Sequence, residues 1–469
     1  MTQLYAPAMY TKGNRMDFVI IGAGVAGLIT AKILLSKNKN ANIKIVERGC
    51  SAGGLLYGKL YENGVYFDHG THIFQETGIT ELDSMMKNAI GSSNIIEYDY
   101  GFGDIAGAVY NGILQENSHF PDLRKCKEIQ KIQAELDDIR SRKSKFLNIE
   151  KHLSLSDISN SRFGHTATNK IIKPIMKNMY GRDPSELSGL ALQLPGITRI
   201  LVDNFDTWKR KAQDHSYRAI IGVPEQTELP KEFQHGRKSF YSKTFGSRSV
   251  INGLVEQLQD QGVEFHFSSE VKFLSLSPLE FCIENENTNI KIDKCSHLII
   301  TSGVISAAQM LGKDIRSYNL SKPDPTRLMD IVLNEQTKSD LCFFYNYDSD
   351  ARWYRVTNYS AFSQIDSDRR ISVEVIGSED LTDEQLLDDT LRHLAQIGFL
   401  EDTSYSYMNI RKPPGGFPTP SVTNMHALTG IYTDLMQLLP DTVSLSGIGT
   451  ANNAFFQNEI LVDIYNRWN

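Results

Sequence analysis

Cysteine is scarce and badly placed for cross-linking: Cys50, Cys126, Cys282, Cys295 and Cys342 are odd in number, far apart and free of any C-x-x-C pair. That argues against a disulfide framework or a zinc site and points to a reducing compartment. An excess of one charge is also missing. A formal net charge of −7 over 469 residues gives no reason to expect nucleic acid as a partner. No internal repeat and no low-complexity tract is present. The opening residues, MTQLYAPAMYTKGNR, lack a charged segment followed by an apolar core, so they do not read as a signal peptide. Only the stretch from Phe18 to Leu35 is apolar enough to resemble a membrane span. Its three glycines at fixed spacing and its lysine make it a buried strand-turn-helix instead. The chain is therefore expected to be soluble and cytoplasmic, with no stable membrane insertion.

What is present is ordinary globular composition, 41% hydrophobic and 22% charged, in a chain long enough for two or three interlocked domains. Phe18-Val-Ile-Ile21 is a short β-branched run, the mark of a central parallel strand. Glycines from Gly22 to Gly27 break it, Leu28 to Ser36 reads as a helix, and Asn42 to Val46 is a second strand ending at Glu47, which completes a βαβ unit. Ala108 to Leu114 predicts a hairpin turning at Asn111-Gly112. Ile129, Ile132, Leu136 and Ile139 predict a solvated helix packed by one apolar stripe. The basic run after it (Arg140, Arg142, Lys143, Lys145) also allows contact with a membrane or partner. The α/β pattern returns near 249, where a helix closed by Gly262 precedes the strand 263–267, and again at Leu298-Ile-Ile300. Aromatic and β-branched residues from Phe343 to Phe362 predict long antiparallel strands, more a sheet core than a pocket lining. Lys412-Pro-Pro-Gly-Gly-Phe-Pro-Thr-Pro420 is a loop.

Gly22-Ala-Gly24-Val-Ala26-Gly27 matches G-x-G-x-x-G. The first glycine permits the tight turn, the second lets the backbone approach a pyrophosphate, and the third packs helix against strand, with the helix N-terminus attracting the phosphate charge. After the second strand, the Glu47 carboxylate can accept the ribose hydroxyls of an adenosine and repels a 2′-phosphate. These residues alone specify an adenosine dinucleotide.

Downstream of Glu47-Arg48 come Gly53-Gly54-Leu55 and Asp68-His69-Gly70-Thr71-His72-Ile-Phe74. With these the sequence resembles the FAD-dependent amine oxidase and protoporphyrinogen oxidase superfamily, to which UDP-galactopyranose mutase also belongs. The resemblance implies FAD as cofactor, with Gly53 and Gly54 against the pyrophosphate and Gly70, Thr71 and His72 beside the flavin ring. Further segments resemble the superfamily: Gly181-Arg-Asp-Pro184-Ser-Glu-Leu-Ser188, Phe245-Gly-Ser-Arg-Ser-Val-Ile-Asn-Gly-Leu254, Trp353-Tyr-Arg355-Val-Thr-Asn358, and Val443 to Gly449 before a terminal helix. They imply a backbone contact to adenine at Val271 and a flavin-side loop at Gly447. They also imply an α/β fold in which a discontinuous Rossmann-like FAD-binding domain (14–80, 236–310, 430–469) carries an inserted α+β substrate-binding domain of mixed sheet plus helices (81–235, 311–429). The sequence departs from the pattern at Leu55, where Arg or Asn is usual, at Ile448, where the mutases carry Arg, and at Phe245, where a glycine is usual.

The implied activity is hydride transfer from a small-molecule substrate to flavin N5. The alternative is a redox-neutral mutase acting on a nucleotide-sugar, and a third class is a flavin-free binding module like the GDP-dissociation inhibitors. His72 is the candidate catalytic residue, either as a proton shuttle or as a loop-orienting hydrogen-bond partner. Arg352 and Arg355 are candidate substrate-binding residues, and Lys243 and Lys272 are weaker candidates near the ring. Asp68, His69 and His72 lack a convincing fourth ligand, so no metal is expected.

Overall fold

The computed structural model describes residues 16–98, 105–142, 147–234, 236–292, 295–377, 380–413, 417–450 and 454–469. The N-terminal segment through Arg15, Lys143, Lys145 and the centre of the proline-rich loop (414–416) lie outside them. The chain divides into two compact units. Unit 1 comprises Met1–Glu97, Ser239–Leu320 and His426–Asn469, and unit 2 comprises Tyr98–Lys238 and Ser321–Met425.

Unit 1 is built on a five-stranded sheet, all parallel, with the first strand, Asp17–Ile21, at its centre. On one side lie Asn42–Val46 and Glu264–His266, and on the other His297–Ile300 and Val443–Leu445. Central parallel strands are covered on both faces, which explains the unbroken apolar runs. Phe18, Val19 and Ile20 are buried, as are Leu298, Ile299 and Ile300. The reversal of strand order beside the first strand is the place where open α/β sheets bind ligands. A three-stranded antiparallel meander, Glu270–Leu276, Leu279–Glu284 and Asn289–Ile292, is appended to the sheet.

The helix Thr80–Ile90 belongs to unit 1, so the first segment of this unit runs past residue 80. Its buried face (Leu82, Met86, Ala89, Ile90) shares one apolar cluster with Ile251, Leu254 and Leu258 of the helix Arg248–Asp260. The two helices touch where Gly253 leaves room, since a β-carbon there would lie 1.9 Å from the Ala89 carbonyl oxygen. That partner is 160-odd residues away in sequence, which is why local pattern places the boundary too early.

Unit 2 contains a seven-stranded mixed sheet in the order Tyr405–Arg411, Thr326–Leu333, Arg370–Ile376, Trp353–Asn358, Phe343–Asn346, Ala106–Tyr110, Ile113–Gln115. All pairings are antiparallel except Phe343–Asn346 with Ala106–Tyr110. Phe344, Tyr345, Trp353, Tyr354, Tyr359 and Phe362 are buried. The first four lie on the sheet, with Trp353 and Tyr354 also lining a cavity. Tyr359 and Phe362 lie on the short helix Tyr359–Ser363, where the expected strand has ended. The predicted hairpin turns at Asn111 (φ +54°) and Gly112 (φ +70°), whose amides donate to Asp348 at 2.9 and 2.7 Å. The helix Ile129–Ser141 buries Ile132, Leu136 and Ile139. Its basic residues are engaged locally, Arg140 with Asp214 at 2.6 Å and Arg142 with Asp138. No helix among the described residues is long and apolar enough to cross a membrane.

Candidate functional site

The glycine-rich loop joins the first strand to the helix Val25–Lys37. Gly22 holds φ +107°, a region closed to most side chains, and donates to the Val46 carbonyl at 2.8 Å. A β-carbon on Gly27 would stand 2.0 Å from the Gly22 carbonyl oxygen, so the third glycine lets the helix close on the turn. Gly24 differs. It caps the helix with φ −73° and ψ 174°, and a β-carbon there would meet nothing within 4 Å. The open space thus lies at a helix N-terminus, where the first amides have no intrahelical acceptor and the dipole favours an anion. Ala26 is buried in the first turn below it.

The second glycine pair, Gly53-Gly54, is brought against this loop. Gly24 and Gly53 form a parallel bridge, and Gly53 donates to the Ala23 carbonyl at 2.9 Å. Gly53 (φ +129°) and Gly54 (φ +53°) both hold conformations that favour glycine, and a β-carbon on Gly54 would lie 3.7 Å from the Gly24 Cα. Glu47, at the end of the second strand, accepts from the Ala23 amide through Oε2 at 2.8 Å and from the Gly49 amide through Oε1 at 2.7 Å. Each carboxylate oxygen still has a further lone pair for a ligand hydroxyl. Arg48 is exposed beside it. The segment leading to Val271 runs along the same loop, with Ser268 and Ser269 donating to the carbonyls of Gly49 and Glu47 at 2.9 and 3.0 Å. Val271 itself is buried in the meander, paired with Ile283.

Thr301 is a site residue that motif reading passed over. Its hydroxyl donates to the carbonyls of Ile21 and Gly22 at 2.9 and 3.2 Å, which fixes the turn from behind. Its only sequence signal is its place directly after the strand His297–Ile300. Gly447 (φ +103°) packs on the same residue, since a β-carbon there would lie 2.7 Å from the Thr301 carbonyl oxygen. Leu55 and Ile448, two of the three departures from the superfamily pattern, are 59% and 36% exposed at the edges of these loops.

Asp68 is buried and saturated. It accepts from Tyr66 Oη at 2.7 Å, from the Ser247 hydroxyl at 2.6 Å and amide at 3.1 Å, and from Tyr241. Gly246 lies tightly against this carboxylate, and the preceding Phe245 takes a left-handed φ of +56°, a conformation that suits the glycine of the superfamily pattern. Asp68 therefore anchors one end of the span containing His69, Gly70, Thr71 and His72. Phe74 anchors the other by pairing with Phe240, its ring stacked at 5.4 Å. Gly70 holds φ +105°, and His69, Thr71 and His72 are partly exposed. Among the described residues no group of three or more His, Cys, Asp or Glu is arranged to hold a metal ion. Lys243 and Lys272 are exposed.

In unit 2 the two candidate arginines separate. Arg355 is clamped by Glu374 through two hydrogen bonds, at 2.7 and 2.9 Å, with Tyr345 Oη 3.3 Å away. Burial would depress its pKa, but the Glu374 charge outweighs this and holds it above the ordinary arginine value. Its charge is paired within the fold with Glu374. Arg352 is 61% exposed and pairs with Asp380 at 3.9 Å. It lines a cavity of about 550 Å3 together with residues of the Gly181-Arg-Asp-Pro184 segment.

Fold and loop geometry define a dinucleotide-binding α/β protein: a parallel sheet with a glycine-rich loop, helix N-terminus and acidic strand end at its switch point, joined to a mixed-sheet unit. Residues 20–88 match the family described as NAD(P)-binding Rossmann-like domain. The chain is 22% identical over 279 residues to a coproporphyrinogen III oxidase of Staphylococcus aureus, a match covering 56% of each chain. It is 33% identical over 82 residues to a UDP-galactopyranose mutase of Mycoplasma pneumoniae, covering 17% of this chain and 20% of the mutase. The matches thus span about half of the first relative and a fifth of the second. The fold is that of a reduced UDP-galactopyranose mutase of known structure, with a TM-score of 0.71 at 16% identity over 96% of this chain and 93% of that one.

Proposed function

We propose that the chain is an FAD-dependent oxidoreductase of the amine oxidase and protoporphyrinogen oxidase type, acting on a small-molecule substrate. The observation that carries this reading is the contact between the two glycine motifs. Gly53 and Gly54 lie against Gly24, so the open space at the helix N-terminus is bounded by backbone on two sides and suits a pyrophosphate. A dinucleotide held by the first motif alone has no need of the second. Glu47 then accepts the ribose hydroxyls, and the Val25 helix stabilises the phosphate charge. Bound FAD supplies a hydride acceptor at N5. Asp68 and Phe74 hold the Gly70–His72 span taut between them, and the His72 imidazole moves a proton to or from the substrate. Arg352 is the arginine available to a substrate. The five cysteines, which form no disulfide, support a cytoplasmic setting.

A redox-neutral mutase acting on a nucleotide-sugar is the second reading, favoured by the local identity and fold shared with UDP-galactopyranose mutase. Absorbance of the purified chain tests the shared premise: a flavin spectrum is expected, and colourless protein that cannot be reconstituted with FAD overturns it. Turnover that consumes oxygen supports the oxidoreductase. Turnover that needs prior dithionite reduction and yields no net oxidation supports the mutase.

A further inference from the structure

We infer that a second cavity, confined to unit 1, binds an uncharged aromatic small molecule at a site separate from the nucleotide loop. The cavity measures about 350 Å3, within the range of small-molecule sites. It lies between the loop after Glu47 and the helix Arg248–Asp260. Gly22, Gly24, Gly53 and Gly54 are not among the described residues that line it. Its floor is apolar: Ala52 and Ile251 are buried, and Tyr57, Val255 and Phe267 are half-buried. Asn252, Val255, Glu256 and Gln259 recur at i, i+3, i+4 and i+7, so one helical stripe forms a wall about 10.5 Å long at 1.5 Å per residue. Three planar groups meet the cavity. Phe267 stacks on Phe265 at 5.6 Å, which steadies its ring. The Arg248 guanidinium lies over the Tyr57 ring at 4.1 Å, and its Nη2 donates to Tyr57 Oη at 2.8 Å. Rings and a guanidinium plane held in this way are surfaces on which another ring stacks. The lining carries one cation, Arg248, against one acid, Glu256. A charged ligand would shed water there without meeting a net counter-charge. An uncharged ring avoids that cost, and the exposed amides of Asn252 and Gln259 supply donors and acceptors for its polar edge.

This site goes beyond the reaction proposed above, and its test uses no flavin. 2-Quinolone, a planar uncharged bicycle with one amide edge, and phenylacetate, an aromatic anion, are each titrated into the full-length chain by calorimetry. Saturable binding of 2-quinolone is expected, with phenylacetate at least tenfold weaker. Val255→Trp fills the cavity from a half-buried position and should weaken 2-quinolone binding at least tenfold, and Asn252→Ala at least threefold. Lys39→Trp, elsewhere on the surface of unit 1, leaves it within twofold, as does saturating ADP. Cys50 is an exposed thiol in the lining and serves as a local reporter. Bound 2-quinolone should slow its alkylation by iodoacetamide at least threefold, read on the Cys50 peptide by mass spectrometry. The inference is overturned if 2-quinolone does not bind saturably, if phenylacetate binds as tightly, or if ADP displaces 2-quinolone. Parent-like binding by both V255W and N252A, or an unchanged alkylation rate at Cys50, overturns it too. Colourless protein that cannot be reconstituted with FAD yet binds 2-quinolone in this way sinks the flavin reading and leaves this one standing.

Discussion

Gly24 and Gly27 sit three residues apart in one motif, yet the structure assigns them opposite tasks, and alanine at each position separates those tasks. At Gly24 the backbone angles suit alanine, and the added carbon meets nothing within 4 Å. Stability is therefore expected to change by no more than about 0.5 kcal/mol, with a gain of that order from the less flexible unfolded chain. The same methyl occupies the space through which a pyrophosphate reaches the helix amides. Overpacking of that kind costs about 1–3 kcal/mol, so FAD affinity should fall roughly 5- to 150-fold. At Gly27 the added carbon would stand 2.0 Å from the Gly22 carbonyl oxygen. That oxygen belongs to a turn pinned by the Gly22 amide at Val46 and by the Thr301 hydroxyl. The helix must move, and a loss of about 3 kcal/mol or more is expected. Chemical denaturation of the apoprotein measures the first quantity and flavin fluorescence titration the second. G24A destabilised as much as G27A, or G24A binding FAD as tightly as the parent, would refute this division of tasks.

Glu47→Ala removes an acceptor of the Ala23 and Gly49 amides, and each charge-assisted bond to a ribose hydroxyl is worth roughly 1.5–3 kcal/mol; unchanged FAD affinity would refute its assignment. Glu374→Gln leaves Arg355 buried without its counter-charge and should cost about 3–5 kcal/mol. The double change to Arg355→Met and Glu374→Leu should recover most of that in the same denaturation assay. His119 and His297 are pushed down to about 4, by burial first and then by Arg199 and Arg467 respectively. A depressed base stays neutral in the fold while the unfolded chain takes up a proton below pH 6.5. Stability should therefore fall from pH 6.5 to pH 4 by about 3 kcal/mol for each histidine. His297→Asn should flatten this slope in urea melts, and an unaltered slope would count against it.

The local chemistry of the nucleotide loop was legible in the residues themselves. β-branched runs and glycine spacing act through neighbours a few positions away, so the strand-turn-helix-strand from Phe18 to Val46 and the turn at Asn111-Gly112 followed from order alone. The resemblance at Gly53-Gly54 and Asp68 to Phe74 added the expectation of a second contact with the same ligand. Contacts formed at long range were illegible in the same residues. The packing of Ala89 on Gly253 moved a domain boundary, and the bond from Thr301 to Gly22 exposed a site residue with no motif of its own. Glu374 meets Arg355 across neighbouring strands, 19 residues apart in sequence, a pairing no local pattern shows. A sequence determines which groups a chain carries and which local turns they favour. Only the tertiary structure decides which charges find a counter-charge, because that depends on where distant segments meet.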